Sequence, residues 1–194
     1  RFGKLGIEEA EKAMSELGLV GIVGHPPIAE WCIPFVEAAA AREGLVNLHM
    51  HNTLMDRIAT IFPHCTFISH ASTWGAEHLA KHDNVFFEVV QYPDGQGSEW
   101  DFAWFADKVG RERLIFGADL PYYDYRVLQR VIEEAPIDDD LKDRIAHKNL
   151  AALIQRFNPG WEMPAEPPQA PRLYDADELW AVNPDNPVRL TVFA

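Results

Sequence analysis

Leu114-Ile115-Phe116-Gly117-Ala118-Asp119-Leu120-Pro121 is the stretch on which the reading of this chain turns. Its apolar run predicts a strand over 113–118 that is covered on both faces, as strands of parallel sheets are. Asp119 follows that strand directly. A carboxylate at the end of a buried strand must be solvated, paired or coordinated, because an unpaired charge in an apolar interior is too costly.

Working outward, strand patterns alternate with helical ones. Strands are predicted near 19–24, 45–50, 65–70, 85–90 and 113–118, with starts roughly 20 to 28 residues apart, a tight βα period. Between them, Ile7, Ala10, Met14 and Leu17 form a helical stripe that Gly18 stops. Further helices are predicted over 31–42, 54–62, 74–81, 100–109, 125–135, 138–147 and 149–157. A Gly/Pro loop is predicted over 92–98. This alternation predicts βα units around a parallel sheet, an α/β fold. The pattern ends near Asn158. Seven of the fourteen prolines, at 159, 164, 167, 168, 171, 184 and 187, fall in 158–194. The domain reading is therefore 1–157 for the αβ unit and 158–194 for a proline-rich extension, laid over its own barrel or a neighbour's.

In such a sheet all C-terminal strand ends lie along one edge, so side chains placed there converge. Strand 45–50 supplies His49, with His51 two residues on and facing the same way if the strand continues. Strand 65–70 supplies His70, and strand 113–118 supplies Asp119. His25 lies just beyond the end of the first strand. Imidazoles with a carboxylate suit a divalent metal, Zn²⁺ foremost, with Fe, Mn and Ni also compatible. A metal with an open position lowers the pKa of bound water to ~7. Each residue has a plainer reading. His51 also fits a solvated loop, and His70 a core histidine bonded to Ser69 or Ser72. Three such residues at successive strand ends favour the site. Glu88, inside an apolar strand, either points into the barrel mouth or pairs with a cation such as Arg57. The other histidines read as structural: His64 in a turn, His78 and His82 on the solvated face of an outer helix, His147 near a helix end. Trp100, Phe102, Trp104 and Phe105 read as core packing, with Trp100 or Tyr92 as alternative pocket lining.

The bulk numbers exclude several classes. The 194 residues suit one domain with a sizeable core. A net charge of −13 disfavours nucleic acid and anionic membranes as partners. No apolar run approaches the roughly 18 residues that span a bilayer, and Arg1–Leu17 is polar and amphipathic, unlike a signal peptide. Cys32 and Cys65 lack a CxxC spacing and read as reduced core thiols of a cytoplasmic protein.

At these residues the chain resembles the amidohydrolase-related family, which includes metal-dependent hydrolases and aromatic-acid decarboxylases. The resemblance is carried by Leu19–Val23, Leu48-His49, Phe62-Pro63 through Ser69-His70, Asn84–Glu88, Leu114–Pro121 and Asn149–Leu153, about residues 13 to 155 in all. It implies a TIM-barrel (β/α)8 fold of which this chain carries strands four to eight. It implies that His49 is the fifth-strand metal ligand. His70 becomes the sixth-strand histidine, a ligand in some members and a general acid/base in others. Asp119 becomes the eighth-strand aspartate, which binds metal or takes a proton from bound water.

The family's first-strand HxH, which supplies two metal ligands, has no counterpart here. His49-Met50-His51 does not fill that place, because His70 follows His49 at 21 residues, the spacing of adjacent strands. The expectation is therefore a chain without strands one to three, against the ~250 residues of a full barrel. It is a fragment, is completed by a separate polypeptide, or pairs with itself as a homo-oligomer. The isolated chain is expected to bind Zn²⁺ weakly or not at all. Because a bare-edged monomer would expose the barrel's inner apolar face, it is expected to be an oligomer or to take its missing strands from a partner chain, with the 158–194 tail covering part of the surface. The expected function is metal-dependent hydrolysis of a C–N or C–O bond in a small substrate. The alternatives are a metal-dependent decarboxylase of an aromatic or unsaturated acid, and a non-catalytic partner subunit.

Overall fold

The computed structural model describes residues 3–25, 29–71, 76–90, 101–118 and 124–165. In chain order these form α1 (Gly3–Glu16), β1 (Gly21–Gly24), α2 (Ala29–Ala40), β2 (Leu45–Leu48), α3 (Asn52–Ile61), β3 (Thr66–Ala71), α4 (Ala76–Leu79), β4 (Val85–Val89), α5 (Phe102–Val109), β5 (Leu114–Phe116), α6 (Tyr125–Glu134) and α7 (Asp139–Asp143), which runs through a π turn, Arg144–Lys148, into α8 (Asn149–Phe157). The five strands form one parallel sheet in the order β1-β2-β3-β4-β5. All five predicted strands are present, four of them shorter than predicted: β1 starts only at Gly21, β2 stops at Leu48, β4 at Val89 and β5 at Phe116. The chain divides into two compact units, Arg1–Trp161 and Glu162–Ala194. Most of the second unit, and with it most of the proline-rich extension, lies outside the described residues, as do Tyr92 and Trp100.

Alternation along the strands sorts side chains onto two faces. Val46 and Leu48, Phe67, Val85 with Phe87 and Val89, and Leu114 are buried in the main core against Val36 of α2, Met55 and Ile58 of α3, Leu79 of α4 and Phe105 of α5. The opposite face carries Ile68 and Ile115, with Leu45 and Phe86 beside them. Here α8 supplies the cover: Leu153, Leu150 and Phe157 pack into the same cluster. This part of the inner face is therefore covered by α8. The reason lies in Asn149, 4% exposed, whose side-chain amide donates to the carbonyls of Arg111 and Leu114 at 2.7 Å each. That pair of bonds ties the start of α8 to the start of β5. The sheet's ends are β1 and β5. Along β1, Val23 is 68% exposed and Leu19, just before it, 54%.

Side-chain bonds to backbone carbonyls brace the turns between elements. The Arg113 guanidinium, half-buried, reaches the carbonyls of Ala80, His82 and Val109 and lies 5.6 Å over the Phe87 ring. Asp56 of α3 meets His82 at 2.6 Å and Lys81 at 2.9 Å. His82 was expected on a solvated helix face beside His78. Instead α4 ends at Leu79, and His82 turns inward to tie α3 to the connection before β4. Among the described residues no helix is long and apolar enough to cross a membrane.

Two outcomes follow for stability. Phe87 is 1% exposed and packs edge-on against Phe105 at 5.5 Å; Phe87→Ala is expected to cost about 3–5 kcal/mol in chemical denaturation. At Asp56, burial pushes the carboxyl pKa up, but the hydrogen bonds and charges of His82 and Lys81 outweigh it, and the net shift is downward. A lowered folded-state pKa stabilises the fold above the ordinary aspartate value of about 4, and that contribution disappears as pH falls through the folded-state value. Denaturation midpoints measured from pH 6 to pH 3 should therefore fall less steeply in Asp56→Asn than in the wild type; parallel curves would refute the assignment.

Candidate metal centre

Strand register builds the site. Gly24 pairs with Leu48, Leu48 with Ser69, Ser69 with Phe87, and Phe87 with Leu114. One residue further on, the same row reads His25, His49, His70, Glu88, Ile115. His70 and Glu88 are register partners, as are Glu88 and Ile115. The His49 amide continues the ladder by donating to the Gly24 carbonyl at 2.9 Å. Members of one row in a parallel sheet project from the same face. Ile115 marks that face as the inner one, since it packs with Ile68 and Leu153.

The ring geometry follows from this row. His25 and His49 have centroids 4.0 Å apart, tilted by 43°, and His49 stacks on His70 at 3.9 Å and 22°. The row then passes to the carboxylate: His70 Nδ1 lies 3.4 Å from Glu88 Oε2. The Asn47 amide, two residues before His49 on the same face, donates to that same oxygen at 3.3 Å. His49, His70 and Glu88 are each half-buried, and one donor atom from each lies within 4.8 Å of the others. Burial pushes the Glu88 carboxyl up. The hydrogen bond and charge of His70, the Asn47 amide and the charge of His49 more than offset this, and Glu88 is held below the ordinary glutamate range.

Two features of this corner bear on what it could hold. The Asn47 Oδ1 atom is buried with no hydrogen-bond partner; such an atom usually marks a place for water or another donor. Gly117 leaves the space that the Glu88 side chain fills, for a Cβ there would overlap Glu88 Cγ, Cδ and Oε1. Two imidazoles and a carboxylate are a donor set for Zn²⁺, Mn²⁺ or Fe²⁺.

Of the residues singled out from sequence, His49 and His70 are brought together. Asp119 lies outside the described residues, although Gly117 and Ala118 carry the chain to the same edge of the sheet. His51 does not share the face of His49. Because β2 ends at Leu48, His51 becomes the N-cap of α3 and its Nδ1 accepts from the Thr53 amide at 3.3 Å. Glu88 points into the inner face, not toward Arg57. Its signal was its period-two match with Phe86 inside an apolar strand. The cavity of about 640 Å³ lined by Leu19, Val20, Gly44, Thr66, Arg156 and Phe157 sits at the N-terminal ends of the strands, away from the row. In βα barrels chemistry is found at the opposite end.

No family model matches the chain, and no curated protein does either. Solved structures do. An uncharacterised TIM-barrel protein of Bordetella bronchiseptica aligns with TM-score 0.64 and 18% identity over 78% of this chain and 64% of its own. A dihydroxybenzoic acid decarboxylase of Polaromonas, with bound manganese and the inhibitor 2-nitroresorcinol, aligns with TM-score 0.62 and 13% identity over 82% and 67%. The 5-carboxyvanillate decarboxylase of Sphingomonas paucimobilis aligns with TM-score 0.58 and 16% identity over 77% and 62%. The chain thus spans about two thirds or less of these structures' length.

The seat of Glu88 gives a direct check. Gly117→Ala must push the Glu88 side chain aside and is expected to cost about 1–3 kcal/mol, as overpacking does. Denaturant titration measures this, and an unchanged midpoint would mean that Glu88 does not lie over Gly117. By fold, the chain is similar to solved TIM-barrel structures, in agreement with the α/β barrel fold implied by the resemblance read from its strand ends.

Proposed function

We propose that the chain provides strands four to eight of a metal-dependent barrel enzyme that hydrolyses a C–N or C–O bond in a small substrate. The observation that carries this reading is the single row His25–His49–His70–Glu88 at the C-terminal edge of a parallel sheet. His49, His70 and Asp119, the residue that follows Ala118 in sequence, would hold the metal. Asp119 would also take a proton from the attacking water, and His70 would orient or protonate the substrate. When bound, the metal supplies Lewis-acid polarisation and lowers the pKa of water. The donor set favours Zn²⁺, and the manganese of the Polaromonas decarboxylase makes Mn²⁺ the second choice. Buried, free Cys32 and Cys65 accord with a reducing, cytoplasmic setting. The open ends β1 and β5, with Val23 and Leu19 exposed, favour completion by a second copy or by a chain carrying the other strands.

A decarboxylase is the second reading. Two of the three solved structures described above act on hydroxylated aromatic acids, and the same site can serve either chemistry depending on which substrate its loops admit. A panel of lactones, amides and aromatic acids, assayed with the metal-loaded complete protein, separates the two. The expected result is hydrolysis without CO₂ release; CO₂ release from an aromatic acid with no hydrolysis would establish the second reading. Calorimetric Zn²⁺ titration of the metal-free chain should show weak binding, as expected of a site short of ligands, and His49→Ala should abolish it. Binding untouched by that substitution would sink the metal assignment.

A further inference from the structure

The proposed site leaves open which nitrogen of His70 faces the reaction, and Glu88 bears on it. Glu88 is the one carboxylate in the described part of the row, and three contacts place it. The Asn47 amide donates to its Oε2 at 3.3 Å, the Gly117 position leaves room for its Cγ–Cδ–Oε1 portion, and Oε2 lies 3.4 Å from His70 Nδ1. An ionised carboxylate only accepts hydrogen bonds, so the proton between the two belongs on Nδ1. The Asn47 amide fits the same sense: its NH₂ group, a donor, is the end turned to that oxygen. A neutral imidazole with a proton on Nδ1 carries its lone pair on Nε2.

We infer that Glu88 is a positioning residue: anchored by Asn47 and seated beside Gly117, it holds His70 in the Nδ1–H tautomer and so presents the Nε2 lone pair of His70 to the site. This rests on the proposed metal site and deepens it. His70 then acts through Nε2 as a metal ligand or as the acceptor that orients a substrate donor, which selects the orienting role over the protonating one. Glu88 acts through His70, as carboxylates behind metal-binding histidines do. Asn47 is the next residue in the chain of contacts. Its own Oδ1 is the buried atom with no partner, so a donor that reaches this corner would extend the same relay.

The test uses the full chain, labelled with ¹⁵N at histidine and free of metal, at a pH where the imidazoles are neutral. Long-range ¹H–¹⁵N spectra report which ring nitrogen carries the proton, and His70→Asn identifies the His70 signals by their loss. The wild type is expected to show His70 as the Nδ1–H form. Glu88→Ala should move it toward the mixture of an unrestrained ring, whereas Glu88→Gln, whose amide oxygen still accepts, should keep Nδ1–H; circular dichroism checks that both variants fold. Added Zn²⁺ should then perturb His70 Nε2 in the wild type, and the concentration required should rise about 10- to 100-fold in Glu88→Ala. An Nε2–H form in the wild type, or a tautomer unmoved by Glu88→Ala, would overturn the inference. So would loss of Zn²⁺ binding in Glu88→Gln as complete as in His49→Ala, because Glu88 would then be a ligand itself. A wild type that shows the Nδ1–H form and its loss in Glu88→Ala, yet binds no Zn²⁺, would uphold the role of Glu88 while refuting the metal reading.

Discussion

Everything at the candidate site depends on parallel register. Parallel strands joined by helices all end at one edge of the sheet, and their hydrogen-bond ladder fixes which residues stand side by side. Here the ladder sets Leu48 beside Ser69 and Ser69 beside Phe87, so His49, His70 and Glu88 emerge together on the inner face. A slip of one residue in β3 would turn His70 into the main core and Ser69 toward the site. The burial of Phe67 in the main core opposes that slip, because the slip would turn Phe67 to the other face. The hydrophobic core thus specifies the geometry of the polar row without touching it.

The row holds polar groups that would be costly singly and are tolerable jointly. Glu88 sits half-buried in an otherwise apolar strand, where an isolated carboxylate would be driven to its neutral form. His70 and Asn47 offset that burial, and the result is a carboxylate held below its ordinary range. Gly117 is part of the same arrangement: the smallest residue on β5's extension makes room for the longest side chain in the row. Elsewhere on the same face, Asn149 fixes α8 so that Leu153 and Phe157 pack with Ile68 and Ile115.

Much of this was legible in the sequence, and the failures have physical causes. Five apolar runs at a steady period specified the strands, and the histidines at their ends specified His49 and His70. The same logic left His51 open between the strand face and a loop, because strand ends cannot be read to within two residues from an apolar pattern. β2 stops at Leu48, and the next turn spends His51 on capping a helix. His82 was misjudged because its partner, Asp56, is 26 residues away and no local pattern links them. Glu88 was visible as an anomaly, an acid in an apolar strand, but its partner could be named only once register set it opposite His70. The role of Asn149 was hidden in the same way, since its two acceptors belong to a turn and a strand more than thirty residues earlier.

The central claim is that His49 and His70 share a metal. Crystals of the chain grown with Zn²⁺, with anomalous scattering recorded at the zinc edge, test it most directly. The account predicts a peak about 2.0–2.1 Å from one nitrogen of each ring, at the C-terminal edge of β2 and β3. Zinc that binds only elsewhere, such as at His78 or at the Asp56–His82 pair, with no peak between His49 and His70, would contradict it.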